Sequence, residues 1–117
     1  MSGAVSYQAG LSAEDQVARD YTRRGHAIAA HRWRGKGGEI DVIARDGDGY
    51  VFVEVKKSRS HARAAERLSA RQIGRLYQAA AEFLGRCPKG LNTPSRFDVA
   101  LVDAFGRIEI LENALMA

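Results

Sequence analysis

The chain has 117 residues, 45% of them hydrophobic and 27% charged, which suits one soluble globular domain over residues 1–117. The net charge of +4 only weakly indicates a polyanionic partner, and the longest apolar runs are too short to cross a membrane, so we expect no membrane partner. Residues 1–10 lack the pattern of a secretory signal, and the single cysteine excludes an internal disulfide, so we expect a cytoplasmic location.

The first third of the chain predicts a helix followed by a strand. Ser12 is placed to cap the helix, and Gly25 is placed to end it. Residues 26–33 then predict the first strand. The apolar stripe of the helix, at helical spacing, consists of Val17, Ala18 and Tyr21. After the strand comes a flexible break formed by Gly35, Gly37 and Gly38.

The middle of the chain predicts a hairpin. Residues 39–45 and 50–57 are both typical of strands, and the Asp-Gly-Asp-Gly sequence at residues 46–49 predicts the turn between them. Ser69 is placed to cap a second helix, and strands are predicted through residues 97–101 and around residues 108–110. Helix, three strands, helix and one or two further strands predict an α/β fold with a mixed sheet flanked by helices.

The hairpin predicts a cluster of charge. If the turn is symmetric about Gly47 and Asp48, Asp41 lies opposite Glu54 and Glu39 lies opposite Lys56. Opposed side chains share a face, with Cβ atoms about 5 Å apart, so these four side chains should project together. The other face of the two strands should then be apolar, formed by Ile40, Val42, Val51, Val53 and Val55.

This charged cluster is typical of a site for a divalent cation. Two opposed carboxylates repel each other, and Mg²⁺ or Mn²⁺ bound between Asp41 and Glu54 would remove that conflict. Lys56 would then hold or activate the attacking water or neutralise charge on a phosphate, and Glu39 would tune the lysine. The alternative, that Lys56 simply pairs with Glu39 and Asp41 on a solvated face, stays open at this point.

Two linked segments resemble a known family. Gly-Glu-Ile-Asp-Val-Ile-Ala at residues 38–44 and Val-Phe-Val-Glu-Val-Lys at residues 51–56 are similar to the YraN family of predicted endonucleases. That family belongs to the restriction-endonuclease-like superfamily and looks related to Holliday-junction resolvases. The resemblance covers most of the chain, including both helices and the strand around residues 96–99. The superfamily's proline before the aspartate is Ile40 here.

The resemblance implies a restriction-endonuclease-like αβββαβ core and a DNA endonuclease that uses Mg²⁺ or Mn²⁺. Asp41 and Glu54 would bind the metal together with the carbonyl of Val55, and Lys56 would be the catalytic lysine. Glu14 matches an acidic residue on the first helix of resolvase-like members, and it also lies on the stripe of that helix. Resolution of a DNA junction needs two active sites, so a homodimer is left open.

Basic residues predict where DNA would lie. Residues 56–75 carry seven basic side chains and one acidic side chain, and a second basic group lies just before the glycines. The candidates for DNA contacts are Lys57, Arg59, Arg63, Arg34 and Lys36. Trp33 is either a base-stacking residue or an edge-strand aromatic. Two other functions stay open: a catalytically inactive nucleic-acid-binding module on the same fold, and a protein-interaction adaptor with a solvated basic face.

Overall fold

The structure, a computed structural model, describes residues 12–57 and 69–114. Within them the elements follow the predicted order, and they confirm the predicted α/β fold with a mixed sheet flanked by helices. In chain order they are α1 (Ala13–Arg23), β1 (Ile28–Arg34), β2 (Glu39–Asp46), β3 (Gly49–Lys57), α2 (Ala70–Leu84), a 3₁₀ turn (Gly90–Asn92), β4 (Ser95–Val102) and β5 (Ile108–Leu111).

The five strands form one sheet in the order β1-β2-β3-β4-β5. Strands β3 and β4 run parallel, and every other neighbouring pair is antiparallel. Parallel neighbours need a crossover connection, and α2 lies in the segment between them. One end of the sheet carries the β2–β3 hairpin turn and the start of β4; the opposite end carries the ends of β3 and β4 and the β4–β5 turn. We call this second end the lysine end, because it contains Lys56.

Each face of the sheet packs against one of the two helices in the described segments. On one face, α1 buries its predicted stripe, and the central contacts are made by Val17, Tyr21, Val42, Val53 and Ala100. On the other face, α2 packs against the sheet through Leu76, Ala80, Ile43, Phe52 and Leu101. Since both faces are covered, the central strands are apolar on both sides. Neither described helix is long and apolar enough to pass through a bilayer.

The two helices begin where their caps predict. The Ser12 hydroxyl accepts a hydrogen bond from the backbone N–H of Asp15 at 3.1 Å. Ser69 and Gln72 form a reciprocal capping box, in which each side chain bonds the backbone N–H of the other residue. These side-chain bonds satisfy backbone donors that a helix leaves unpaired in its first turn.

The hairpin register follows the predicted symmetry about Gly47 and Asp48 over its whole paired length. The pairs run from Asp46 opposite Gly49 to Val42 opposite Val53. Gly49 lies against the backbone of Pro94, where an added Cβ would collide with the Pro94 carbonyl oxygen. This close approach fixes the hairpin turn against the start of β4.

Side chains normally alternate between the two faces of a sheet, and this alternation is interrupted in β1 and β2 at positions that face each other across the two strands. Val42 packs on the α1 face, whereas Ile40 packs on the α2 face with Ile43. The backbone pairing remains in step on both sides of the break, with His31 opposite Val42 and Trp33 opposite Ile40. The residues between these pairs are Arg32 and Asp41. Arg32 has a φ of 47°, in the left-handed region. This backbone conformation changes the face of the sheet toward which the following side chains point.

This break corrects one prediction. Ile40 was expected on the same face as Val42 because side chains alternate along a regular strand. The structure places them on opposite faces, because β1 and β2 twist out of regular geometry where Arg32 and Asp41 meet. Asp41 therefore lies at an irregular point of the sheet and not within a regular face.

Candidate active site

Asp41 lies one residue beyond the last backbone pair of β2 and β3. Its Oδ2 accepts a hydrogen bond of 2.8 Å from the backbone N–H of Val55 on the neighbouring strand. In a regular antiparallel ladder a backbone carbonyl would accept such a bond. The carboxylate of Asp41 therefore takes the place of a backbone carbonyl as the acceptor at this point, and it is turned toward β3.

Glu54 is the direct partner of Asp41. It is half-buried on β3, and its side chain shares a hydrogen bond with the Asp41 carboxylate. Burial, this hydrogen bond and the negative charge of Asp41 raise the pKa of Glu54 to about 8. At neutral pH, without a cation, the protonated form of Glu54 is thus favoured. The structure brings together the two carboxyl groups that the hairpin register placed opposite each other.

Lys56 acts on the same pair from two residues further along β3. Its positive charge lowers the pKa of Glu54, against the larger effects that raise it. In the parallel register Glu54 lies beside Val99 and Lys56 beside Leu101, and both of these β4 residues belong to the α2 face. The alternation of β3 thus places the carboxyl group and the ammonium group on one face.

Glu14, in the first turn of α1, is the third acid of the neighbourhood. It is half-buried, and its negative charge also raises the pKa of Glu54. Across the two described segments, no group of three or more His, Cys, Asp or Glu side chains is arranged to hold a metal ion. The role of Glu14 as a third ligand therefore stays a prediction, and the pair in contact is Asp41 with Glu54.

The donor chemistry of this pair fits a hard divalent cation. Mg²⁺ commonly takes one or two protein carboxylates and completes its shell with water and substrate phosphate oxygens. Asp41 and Glu54 supply two carboxylates, and the raised pKa of Glu54 shows that a second negative charge is unfavourable there without a cation. The role of the Val55 carbonyl as a third oxygen ligand of the metal remains a prediction. The N–H of the same residue donates to Asp41, so Val55 lies beside the carboxyl pair.

Glu39 lies beside Arg34 at the lysine end of the sheet. Its paired residue is Arg34 of β1, and its Oε2 lies 3.7 Å from the Arg34 Nε in an exposed ion pair. The backbone pairs of β2 with β3 end at Val42 opposite Val53 and do not reach Glu39, so the tuning of Lys56 by Glu39 stays a prediction.

The glycine-rich turn before β2 is fixed against α2. The backbone N–H groups of Lys36 and Gly37 donate hydrogen bonds of 2.8 and 2.9 Å to the two carboxylate oxygens of Glu82, and these bonds lower the pKa of Glu82. A Cβ added at Gly37 would lie 2.7 Å from the Gln78 Oε1. The expected flexible break is thus a packed turn. No local pattern indicates Glu82 as its partner, because Glu82 lies 46 residues after Lys36.

The basic candidates for DNA contacts fall into two groups. Arg34 and Lys36 are exposed at the β1–β2 turn, and Lys57 is exposed at the end of β3. Arg59 and Arg63 lie outside the described residues. All three described candidates are at the lysine end of the sheet, on strands or turns adjacent to the carboxyl pair.

Trp33 is an edge-strand aromatic packed on the core. It is half-buried, and its ring makes an edge-to-face contact with Phe83 at 5.5 Å between centroids. The guanidinium of Arg86 lies 5.3 Å from its ring centroid. These contacts account for the aromatic side chain without a base-stacking role.

A buried carboxylate that the sequence pattern did not indicate holds α1 to the sheet. Asp98 of β4 is fully buried and accepts hydrogen bonds from the Tyr21 hydroxyl at 2.7 Å, the Arg96 Nε at 3.0 Å and the Asn113 backbone N–H at 2.9 Å. A buried charge is tolerated only when it is paired and hydrogen-bonded in this way. Burial and the bond to Asp98 raise the pKa of Tyr21, so its hydroxyl stays protonated. The network anchors the helix that carries Glu14.

Comparison with known proteins identifies the family. The family model of UPF0102, an uncharacterised protein family, matches residues 13–102, which include every described residue of the candidate site. The chain belongs to the UPF0102 family. This confirms the resemblance to the YraN family stated from the two sequence segments.

Relatives of this UPF0102 protein match it along nearly its full length. A UPF0102 protein of Cereibacter sphaeroides strain ATCC 17029 is 63% identical over 117 residues, all of both chains. One from Ruegeria pomeroyi is 62% identical over 112 residues, 96% of this chain and 91% of the relative. One from Ruegeria sp. strain TM1040 is 44% identical over 112 residues, 96% of this chain and 90% of the relative. These names state family membership and no activity.

Proposed function

We propose that this UPF0102 protein is a metal-dependent DNA endonuclease that hydrolyses phosphodiester bonds. The observation that carries the proposal is the contact between Asp41 and Glu54 at the break in the sheet, with the ammonium group of Lys56 acting on the same pair. Two hydrogen-bonded carboxyl groups beside a lysine form an arrangement that a divalent cation would stabilise. A purely structural hairpin gains nothing from this repulsion.

Each residue has a separate role in this proposal. Asp41 and Glu54, with the carbonyl of Val55, provide oxygen ligands for Mg²⁺ or Mn²⁺, and Glu14 adds a third acid. A bound divalent ion would supply Lewis acidity toward a phosphate and lower the pKa of a bound water. Lys56 holds the attacking water or offers positive charge to a phosphate oxygen. The bond from the Val55 N–H keeps the Asp41 carboxylate turned toward Glu54.

DNA is the proposed substrate because exposed basic residues surround the carboxyl pair. Arg34, Lys36 and Lys57 would contact the phosphate backbone, joined by Arg59 and Arg63. Contacts of this kind give affinity with little sequence preference. The relation of the family to junction resolvases suggests selectivity for branched DNA. Cleavage of both strands at a junction would then require two copies of the chain.

A cleavage assay tests the proposed function. Wild-type protein is incubated with Mg²⁺ or Mn²⁺ and linear, flapped or four-way DNA, in parallel with Asp41→Asn. The matched control is Asp48→Asn, the same chemical change at an exposed residue of the hairpin turn, at the other end of the sheet. Cleavage by wild type and Asp48→Asn but not by Asp41→Asn supports the proposal.

Three outcomes contradict it. Wild-type protein that binds these DNAs but cleaves none of them with either metal would be an inactive nucleic-acid-binding module. Wild-type protein that neither binds nor cleaves DNA would be an interaction adaptor. Equal cleavage by wild type and Asp41→Asn would assign the activity to a contaminant.

A further inference from the structure

Phe105 projects into solvent from the ordered turn between β4 and β5. Its side chain is 82% exposed, the largest value among the large hydrophobic residues that the structure describes as exposed. The backbone N–H groups of Phe105 and Arg107 both donate to the Asp103 Oδ1 at 2.9 Å, and the Asp103 N–H donates to the Arg107 carbonyl at 3.1 Å. These bonds order the β4–β5 turn, so the exposed ring costs little additional ordering when it binds a ligand.

The ring already lies against a cation. The guanidinium carbon of Arg107 is 5.5 Å from the ring centroid of Phe105. An arginine beside an aromatic ring combines a flat surface for stacking with positive charge for a phosphate. The exposed Lys57 adds charge nearby, because Val102, just before the turn, pairs with Lys57 in the parallel register. A phosphate backbone would be attracted by this positive charge, whereas an apolar protein surface or a lipid tail would gain nothing from it.

The turn lies at the lysine end, close to the candidate active site. Lys57 is three residues from Glu54, which corresponds to about 10 Å along a strand, or about three base-pair steps measured along the axis of a DNA duplex. The turn also touches α1: a Cβ added at Gly106 would lie 3.2 Å from the Gln16 Oε1. Gln16 is two residues from Glu14, whose charge reaches Glu54.

We propose that Phe105 is a nucleobase-stacking residue that binds an unpaired base of single-stranded or branched DNA near the cleavage position. This inference rests on the proposed function, since it takes the DNA backbone to lie across Asp41 and Glu54. Bases within a duplex are already stacked on one another, so an exposed aromatic side chain gains most from a base that is unpaired. Phe105 thus gives the enzyme a preference for DNA with flaps, tails or junctions.

The test compares DNA binding by four proteins under conditions that prevent cleavage. Wild type, Phe105→Ala, Phe105→Trp and Leu91→Ala are titrated in EDTA with a plain duplex and with the same duplex carrying a single-stranded tail. Leu91 is the matched control, because it is 71% exposed on the 3₁₀ turn at the other end of the sheet. Circular dichroism and thermal unfolding verify that each variant is folded.

The expected result is selective. Phe105→Ala should weaken binding of the tailed DNA by about five- to a hundredfold, the usual cost of removing one stacked base, and change duplex binding little. Phe105→Trp should bind the tailed DNA at least as tightly as wild type, and Leu91→Ala should match wild type. A tail with one abasic position at the stacked base should show no difference between wild type and Phe105→Ala.

Several results would overturn the inference. One is that Phe105→Ala binds the tailed DNA as tightly as wild type. Another is that its affinity falls by the same factor for duplex and for tailed DNA. A shift of the sedimentation coefficient of Phe105→Ala toward a smaller species, with unchanged DNA binding, would make the residue a contact between two copies.

The same experiments separate failure of the stacking role from failure of the nuclease proposal. Cleavage by wild type with unaltered tail preference in Phe105→Ala contradicts the stacking role alone. Selective tail binding without cleavage contradicts the nuclease proposal alone, and no DNA binding contradicts both.

Discussion

The carboxylate of Asp41 accepts a hydrogen bond of 2.8 Å from the backbone N–H of Val55, so a side chain stands in for a backbone carbonyl between β2 and β3. This substitution occurs one residue after the backbone pairs end at Val42 and Val53. It explains how two acidic residues come into contact within the sheet. It also orients Asp41 through a bond that lies within the hairpin.

The first prediction concerns the chemical roles of the pair and the lysine. Asp41→Ala, Glu54→Ala and Lys56→Ala should each lower kcat for DNA cleavage by about 10²-fold or more, because each removes a group that acts in the transition state. The double variants should lose less than the product of the single effects, since the three groups act as one unit. Asp48→Ala, at the hairpin turn, is the control and should keep full activity.

The second prediction concerns stability and pH in metal-free protein. The pKa of Glu54 is raised from its ordinary value of 4.5 to about 8, so between these values the folded protein binds more protons than the unfolded chain. The stabilisation is fully present below the unfolded pKa and is lost as the pH rises through the folded pKa. Each unit of difference corresponds to about 1.4 kcal/mol, and we expect a loss of about 2–4 kcal/mol in unfolding free energy between about pH 5 and pH 9.

Urea unfolding in EDTA at several pH values measures this loss, and Glu54→Gln is the comparison. The amide side chain of glutamine does not titrate, so the stability of that variant should depend less on pH over the same range. Added Mg²⁺ should also reduce the loss in wild type, because a cation stabilises the charged pair. Identical pH profiles for wild type and Glu54→Gln would show that Glu54 is ionised at neutral pH in the folded protein.

The sequence was sufficient for the features that depend on near neighbours. Ser12 and Ser69 begin their helices, and the Asp-Gly-Asp-Gly turn sets the register as far as Val42, because caps and hairpin turns are decided within a few residues. It failed at Ile40. The break that moves Ile40 to the other face depends on the left-handed backbone of Arg32 on another strand, and strand alternation contains no indication of it.

The roles of two further carboxylates, Glu82 and Asp98, were missed for a related reason. Glu82 binds backbone N–H groups that lie 46 and 45 residues before it, and Asp98 binds a hydroxyl 77 residues before it. In the sequence both are single acids within apolar elements. Nearly every residue type has a backbone N–H, so the sequence does not show which N–H a distant carboxylate binds. Only the three-dimensional arrangement identifies such partners.

The third prediction assigns Glu14 to the active site. Its charge raises the pKa of Glu54, so Glu14→Gln should lower that pKa and weaken Mn²⁺ binding in calorimetric titrations. Stability should change by only about 0.3–1 kcal/mol, the usual contribution of a first-turn helix acid. Asp15→Gln, the neighbouring acid of the same turn, is the control for the helix-end effect. If both variants bind Mn²⁺ like wild type, Glu14 is an ordinary helix-end residue.

The fourth prediction compares two glycines with opposite surroundings. Gly74 lies exposed inside α2, and a Cβ added there would meet no other atom within 4 Å. Gly74→Ala should therefore raise the unfolding free energy by about 0.5–1 kcal/mol. At Gly49 the added Cβ collides with the backbone of Pro94, so Gly49→Ala should lower it by about 1–3 kcal/mol. Urea unfolding measures both, and a destabilised Gly74→Ala would contradict the position of α2.

The last prediction separates DNA binding from chemistry. Arg34, Lys36 and Lys57 are exposed at the lysine end, where a DNA backbone over Asp41 and Glu54 would meet them. Changing all three to alanine should weaken binding similarly for all DNA sequences. It should also flatten the salt dependence, by a log–log slope of about 0.9 for each duplex phosphate that is no longer neutralised. Asp41→Asn should instead abolish cleavage and keep or strengthen binding, because it removes one negative charge near the phosphates.

Titrations at several salt concentrations test this, with a control of equal charge change. Changing Arg23, Arg24 and Lys89 to alanine removes three exposed positive charges at the hairpin end of the sheet. A general effect of net charge would flatten the salt dependence equally in both triple variants, whereas a DNA path over the active site flattens it only in the first. An unchanged slope in the first triple variant would mean that its basic residues form only a solvated face and that DNA binds elsewhere.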